Sequence, residues 1–138
     1  MKKRTLTMLL VLACVLGLGA FASASTIPFD ITVTAYGPSN PDPYSYREIK
    51  DDDEQNFYVR VTGMSHKRGL FSFKSRAIDG SVESRGKSYH YRNLNTTFPY
   101  AYDNGYAPGG KYYYLHGITG LYEAAPYNYL NVVGYYCP

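Results

Sequence analysis

Tryptophan is absent from this chain, and cysteine occurs only twice, as Cys14 and Cys137. That supply builds neither a disulfide framework nor a thiolate zinc site. Histidine is scarce too. His66, His90 and His116 lie in three separate segments without ligand spacing, so no metal site is expected. Neither a Gly-x-Ser-x-Gly motif nor a Cys/His pair with an ordered third member occurs. Triads can be assembled from distant residues, but the reading is of a non-enzyme without a cofactor. After residue 24 no segment keeps an apolar helical period over three turns.

A surplus of one charge is also lacking. The formal net charge is +3, but Lys2, Lys3 and Arg4 account for all of it. Without them 11 basic residues face the 11 Asp+Glu, so the basic pI gives no argument for nucleic acid or for an anionic membrane.

Those three residues head an address. An apolar stretch runs from Leu6 to Phe21 and ends in Ala22-Ser23-Ala24, a small-x-small cleavage pattern before Ser25. Residues 1–24 read as a cleaved signal peptide and 25–138 as one secreted domain. As an uncleaved anchor the stretch is barely long enough to span, and Gly17, Gly19 and Ser23 weaken it. As a lipoprotein signal it would need Cys14 acylated, but Val15-Leu16 continue the apolar run where a lipoprotein turns polar. No membrane span is expected after processing. Cys137 is then alone, which leaves an intermolecular bridge (a disulfide-linked dimer) or a free thiol. Its place at a frayed end argues against catalysis.

The domain reads as all-β. Ile27, Phe29, Ile31, Val33 and Ala35 alternate with polar residues, the period of a half-buried strand. Gly37 to Pro43 breaks regular structure. Phe57-Val59-Val61 and Phe71-Phe73-Ala77 alternate again, and Asp79-Gly80 signals a hairpin. Val82 to Ser84 begins the return strand, with a break at Arg85-Gly86, and short strands are read at 89–91 and 98–102. Residues 111–116 form a strand, and Gly117 to Pro126 reads as a loop with room for a helical turn at 121–125. The final strand, 127–136, places Leu130, Val132 and Gly134 on one face. About seven short strands separated by Gly/Pro/Asn turns predict an antiparallel β-sandwich or an open barrel.

Tyrosine is abundant: 17 residues, 13 of them in the last 50 positions. Tyr buries a large ring while its hydroxyl stays wet, which suits stacking on sugar rings or contact with a protein. It also simply covers the solvent face of a sheet. On strand 111–116, Tyr112, Tyr114 and His116 project together and are the candidate binding patch, while Tyr113 and Leu115 project inward. Asp51-Asp52-Asp53-Glu54 lacks the glycine spacing of a calcium loop and reads as a solvated turn. From Lys67 to Arg92 seven basic residues oppose only Asp79 and Glu83. This stretch either attracts anionic polymers or is an ordinary hairpin surface that pairs with the acidic segment at 48–54.

Four features resemble a loose family of small secreted proteins of Gram-positive bacteria without assigned function. They are the Lys-Lys leader with Ala22-Ser23-Ala24, the opening Phe29-Asp-Ile-Thr-Val-Thr-Ala-Tyr36, the strand Asn56-Phe-Tyr-Val-Arg-Val-Thr62 and the close Asn131-Val-Val-Gly-Tyr-Tyr-Cys-Pro138. Those proteins commonly end in Ser-Gly-Tyr-Trp-x-Pro, where this chain has Val133 and Tyr136. Some are bacteriocin-associated, so the resemblance implies an antimicrobial or immunity context and carries over no functional residue. The expectation is a binding module at the cell envelope, with a cell-wall polymer or envelope protein as partner. A bacteriocin-like antimicrobial comes second and a hydrolase third.

Overall fold

The computed structural model describes residues 25–34, 37–38, 44–103, 106–122 and 129–138. Its strands are β1 (Ile27–Thr34), β2 (Gly37–Pro38), β3 (Glu48–Ile49), β4 (Asn56–Met64), β5 (Gly69–Ala77), β6 (Lys87–His90), β7 (Thr97–Ala101), β8 (Tyr112–Tyr122) and β9 (Tyr129–Cys137). A short 3-10 turn at Tyr91–Asn93 precedes β7. All pairings are antiparallel, in a five-stranded sheet of order β2-β1-β9-β4-β7 and a four-stranded sheet of order β3-β8-β5-β6. The sheets stack without closing, so a sandwich forms and not a barrel. Among the described residues no helix is long and apolar enough to cross a membrane.

Alternation in the sequence becomes the two inner faces. Phe29, Ile31 and Val33 of β1, Phe57, Val59 and Val61 of β4, and Leu130, Val132 and Tyr136 of β9 are buried. They meet Phe71, Phe73 and Ala77 of β5, and Tyr113 and Leu115 of β8. Residues 37–38, expected in a loop, pair briefly with Val33 and Thr34. The hairpin signal at 79–80 is a turn in which Gly80 takes a φ of 73°, a value that glycine adopts without steric cost. Beyond it Glu83 bridges to Arg76 before the return strand resumes as β6.

The expected loop from Gly117 to Pro126 is not there at its start. β8 continues to Tyr122, and the proposed turn at 121–125 begins in strand; residues 123–128 lie outside the described ones. The two glycines that suggested a turn instead let the sheets approach. A Cβ on Gly117 would stand 2.7 Å from Val33 Cγ1, and one on Gly120 2.7 Å from Leu130 Cβ. Between them Ile118 is an extra residue opposite the Ser72–Phe73 step, a bulge that lets β8 keep its buried face.

Gly134 is tighter still: a Cβ there would lie 2.3 Å from the Arg60 carbonyl oxygen and 2.8 Å from Phe29 Cζ. Backbone cannot give way as a flexible side chain does. Gly134→Ala is expected to destabilise the fold by about 1–3 kcal/mol, the usual cost of overpacking, in a urea titration. An unchanged midpoint would mean that β9 and β4 have room to spare.

Polar groups also enter the interior, each with partners. Ser75 Oγ, fully buried on β5, lies 2.6 Å from the Tyr136 hydroxyl and 2.7 Å from that of Tyr102, tying the two sheets together. Lys50 is 1% exposed, and its Nζ donates to Asp52 Oδ1 at 2.9 Å and to the Pro138 carbonyl oxygen at 3.3 Å. The hydrogen bond from Lys50 holds the Asp52 carboxyl below its ordinary value.

The acidic run is therefore only in part a solvated turn. It also does not pair with the basic hairpin as expected. Lys74 and Arg76 reach Glu83 at 3.0 and 3.7 Å, Lys87 pairs with Asp103, and Lys111 with Asp79. Glu83 stands across the ladder from Arg76, so the nearer carboxylate takes the hairpin cations. The fraying expected at Cys137 does not occur either. β9 runs between β1 and β4, and Cys137, opposite Tyr58, is 5% exposed.

Candidate binding face on the four-stranded sheet

β8 alternates exposed and buried positions, so Tyr112, Tyr114 and His116 lie on the outer face of the four-stranded sheet, and Tyr113 and Leu115 inside it. Tyr112 is 46% exposed; Tyr114 and His116 are half-buried. The cover comes from residues 44–47, which run along the free edge of β8. There the Ser45 N–H donates to the Leu115 carbonyl at 2.8 Å and the Leu115 N–H donates to Ser45 Oγ at 2.6 Å. Those bonds set Tyr44 edge-on to Tyr114, with ring centroids 5.3 Å apart, and 4.6 Å from the His116 ring. They also place the Arg47 guanidinium 5.3 Å above the Tyr112 ring.

The predicted patch is thus half of a larger one. Tyr44, Ser45, Tyr46, Arg47, Ile78 and Tyr114 line an open hollow of about 390 Å³. Tyr44, Tyr46 and Ile78 are 43%, 78% and 48% exposed. The alternation of Tyr44, Tyr46 and Glu48 was a signal for this edge segment, overshadowed by the prolines before it.

On the other side of β8 the ladder puts Arg76 opposite Tyr114 and Lys74 opposite His116. Their common partner Glu83 is kept below its ordinary carboxylate value, first by the hydrogen bond from Lys74. Three cations (Arg47, Lys74 and Arg76) therefore flank the tyrosines on this face, and Glu83 offsets one of them.

A second hollow, of about 300 Å³, lies on the outer face of the five-stranded sheet between Thr26, Tyr58, Arg60, Thr97, Tyr135 and Cys137. Tyr58 donates its hydroxyl to Glu54 at 2.5 Å, which with partial desolvation pushes that phenol up to about 12. Burial pushes the Cys137 thiol up as well, so it is not an activated nucleophile. A disulfide to a second copy would need the end of β9 to open. Ser75, enclosed by its two tyrosine hydroxyls, cannot meet a substrate in the folded state. Among the described residues no three His, Cys, Asp or Glu side chains gather as a metal site requires.

Compared with protein-family models, curated proteins and solved structures, the chain has no match.

Proposed function

We propose that this protein is an exported, non-catalytic binding module that acts at the cell envelope through the outer face of its four-stranded sheet. One observation carries the reading: tyrosine rings are exposed on a strand whose opposite face is locked in the core. Such rings offer contact area that loses little entropy on binding. Tyr113 and Leu115, both fully buried, hold Tyr112 and Tyr114 in place from below. Export is carried by residues 1–24, which lie outside the described residues.

The test uses protein recovered from the culture medium, expected to begin at Ser25. Tyr112→Ser/Tyr114→Ser is compared with the parent chain for sedimentation with cell walls of the producing organism and of its relatives. Loss of sedimentation with unchanged circular dichroism supports the face as the contact surface. A folded double mutant that sediments as before rejects it. Growth inhibition of a related strain that survives the double substitution would favour the antimicrobial reading, and a turnover signal lost on a single His or Asp substitution the hydrolase.

A further inference from the structure

We propose that the ligand of this face is an acidic polysaccharide built of pyranose rings, held by ring stacking on the tyrosines and by its carboxylates on Arg47 and Arg76. The inference rests on the binding-module reading and names the chemistry of its partner.

Two features meet in one place. The first is a set of aromatic faces. Tyr44, Tyr46, Tyr112 and Tyr114 surround a hollow of about 390 Å³, inside the range of about 300–1,000 Å³ usual for small-ligand sites. A flat aromatic surface meets the C–H face of a sugar ring with apolar contact, and the phenol hydroxyls remain available to the sugar's own. The second is unneutralised cation. Arg47 lies over Tyr112, and among the described residues no carboxylate comes within ion-pair distance of it. Stacking on the ring orients the guanidinium plane, and its planar fork matches a carboxylate in bidentate fashion. Across β8, Arg76 is 41% exposed and stands 3.7 Å from Glu83, leaving donors of its own to face outward. Arg47 on one side and Arg76 on the other bracket Tyr114, so rings and charges alternate across the strand.

Alternation of ring and charge fits a polymer whose every unit carries both. A polyphosphate has the charge and no ring to stack. A neutral glucan has the ring and leaves the arginines unused. Single-stranded nucleic acid has both, but its dense phosphates call for a broad basic field. This face carries only three cations against one carboxylate, on a chain formally neutral after residue 24.

The experiment is affinity electrophoresis through gels containing polygalacturonate, its fully methyl-esterified form, polyphosphate or oligo-deoxythymidine. Retardation by polygalacturonate, with little by the ester or by polyphosphate, is expected. Arg47→Gln/Arg76→Gln, both exposed and needing no repacking, is expected to weaken it about tenfold, the loss of one charge-assisted contact. Tyr112→Phe, which keeps the ring, should retain binding that Tyr112→Ser loses. Equal retardation by polyphosphate would overturn the inference in favour of simple ion exchange, and stronger retardation by oligo-deoxythymidine in favour of nucleic acid. Retardation that ignores the arginine substitutions would also overturn it. If polygalacturonate has no effect while cell walls still bind through Tyr112 and Tyr114, the acidic-glycan inference falls and the module reading stands. If neither binds, both fall.

Discussion

Phe73→Ala is expected to destabilise the protein by about 3–5 kcal/mol, the cost of deleting an enclosed aromatic ring and leaving its cavity. Phe73 is 0% exposed, at mid-strand of β5. Its ring lies 5.1 Å from that of Phe71, 5.2 Å from Tyr100 and 6.4 Å from Phe57, so residues from both sheets close around it. Neighbours on strands cannot collapse into the void without breaking ladder hydrogen bonds. The measurement is a guanidinium titration monitored by tyrosine fluorescence, with the slope unchanged and the midpoint lowered. A loss below about 1 kcal/mol would mean that the ring is not enclosed.

Alkaline pH should unfold the protein through its tyrosines. Burial pushes the phenols of Tyr100 and Tyr113 up to about 12, and carries those of Tyr102 and Tyr136 further still. Tyr58 reaches about 12 chiefly through its hydrogen bond to Glu54. In the unfolded chain each ionises at about 10. The folded state thus holds protons that the unfolded state has released, and stability falls as pH rises. The contribution is complete below pH 10 and is lost progressively as pH rises toward the folded-state values. Tyrosinate absorbance followed beside far-ultraviolet circular dichroism is expected to rise in two stages. The exposed tyrosines ionise first with the fold intact, and the buried set ionises together with loss of the β signal. A single smooth titration with the β signal unchanged would show the phenols to be accessible.

Both expectations depend on placement that was legible only in part from the residues. Strict alternation carried β1, β4, β5 and β9, because half-burial imposes a period of two wherever one face meets a core. The same rule separated Tyr113 from Tyr112 and Tyr114. It failed at Gly117 and Gly120, since a glycine that admits another backbone has the same letter as one that turns the chain. It gave no warning for Lys50, whose enclosing partners include Pro138, 88 residues away. Tyrosine was ambiguous for a related reason. Tyr89, Tyr102 and Tyr136 are core residues because hydroxyl partners exist for them, at Asn93 and Thr96 for the first and at Ser75 for the other two. Those partners are set by sheet stacking, which local pattern does not encode. The candidate face was half legible: β8 supplied Tyr112, Tyr114 and His116, whereas the edge segment 44–47 joined it through pairing across some 70 residues.

The place of β9 bears on when this chain can become a protein at all. Its pairing with β1 joins Ile27 to Tyr136, and its pairing with β4 joins Tyr58 to Cys137. A chain emerging residue by residue has β1 and β4 early, but the strand that belongs between them arrives with residues 129–137. Until then both stand as open edges with no partner in the right place, and the closing loops are long and entropically costly. The five-stranded sheet assembles late and nearly at once, so the growing chain stays extended enough to thread a narrow passage until its last strand is through.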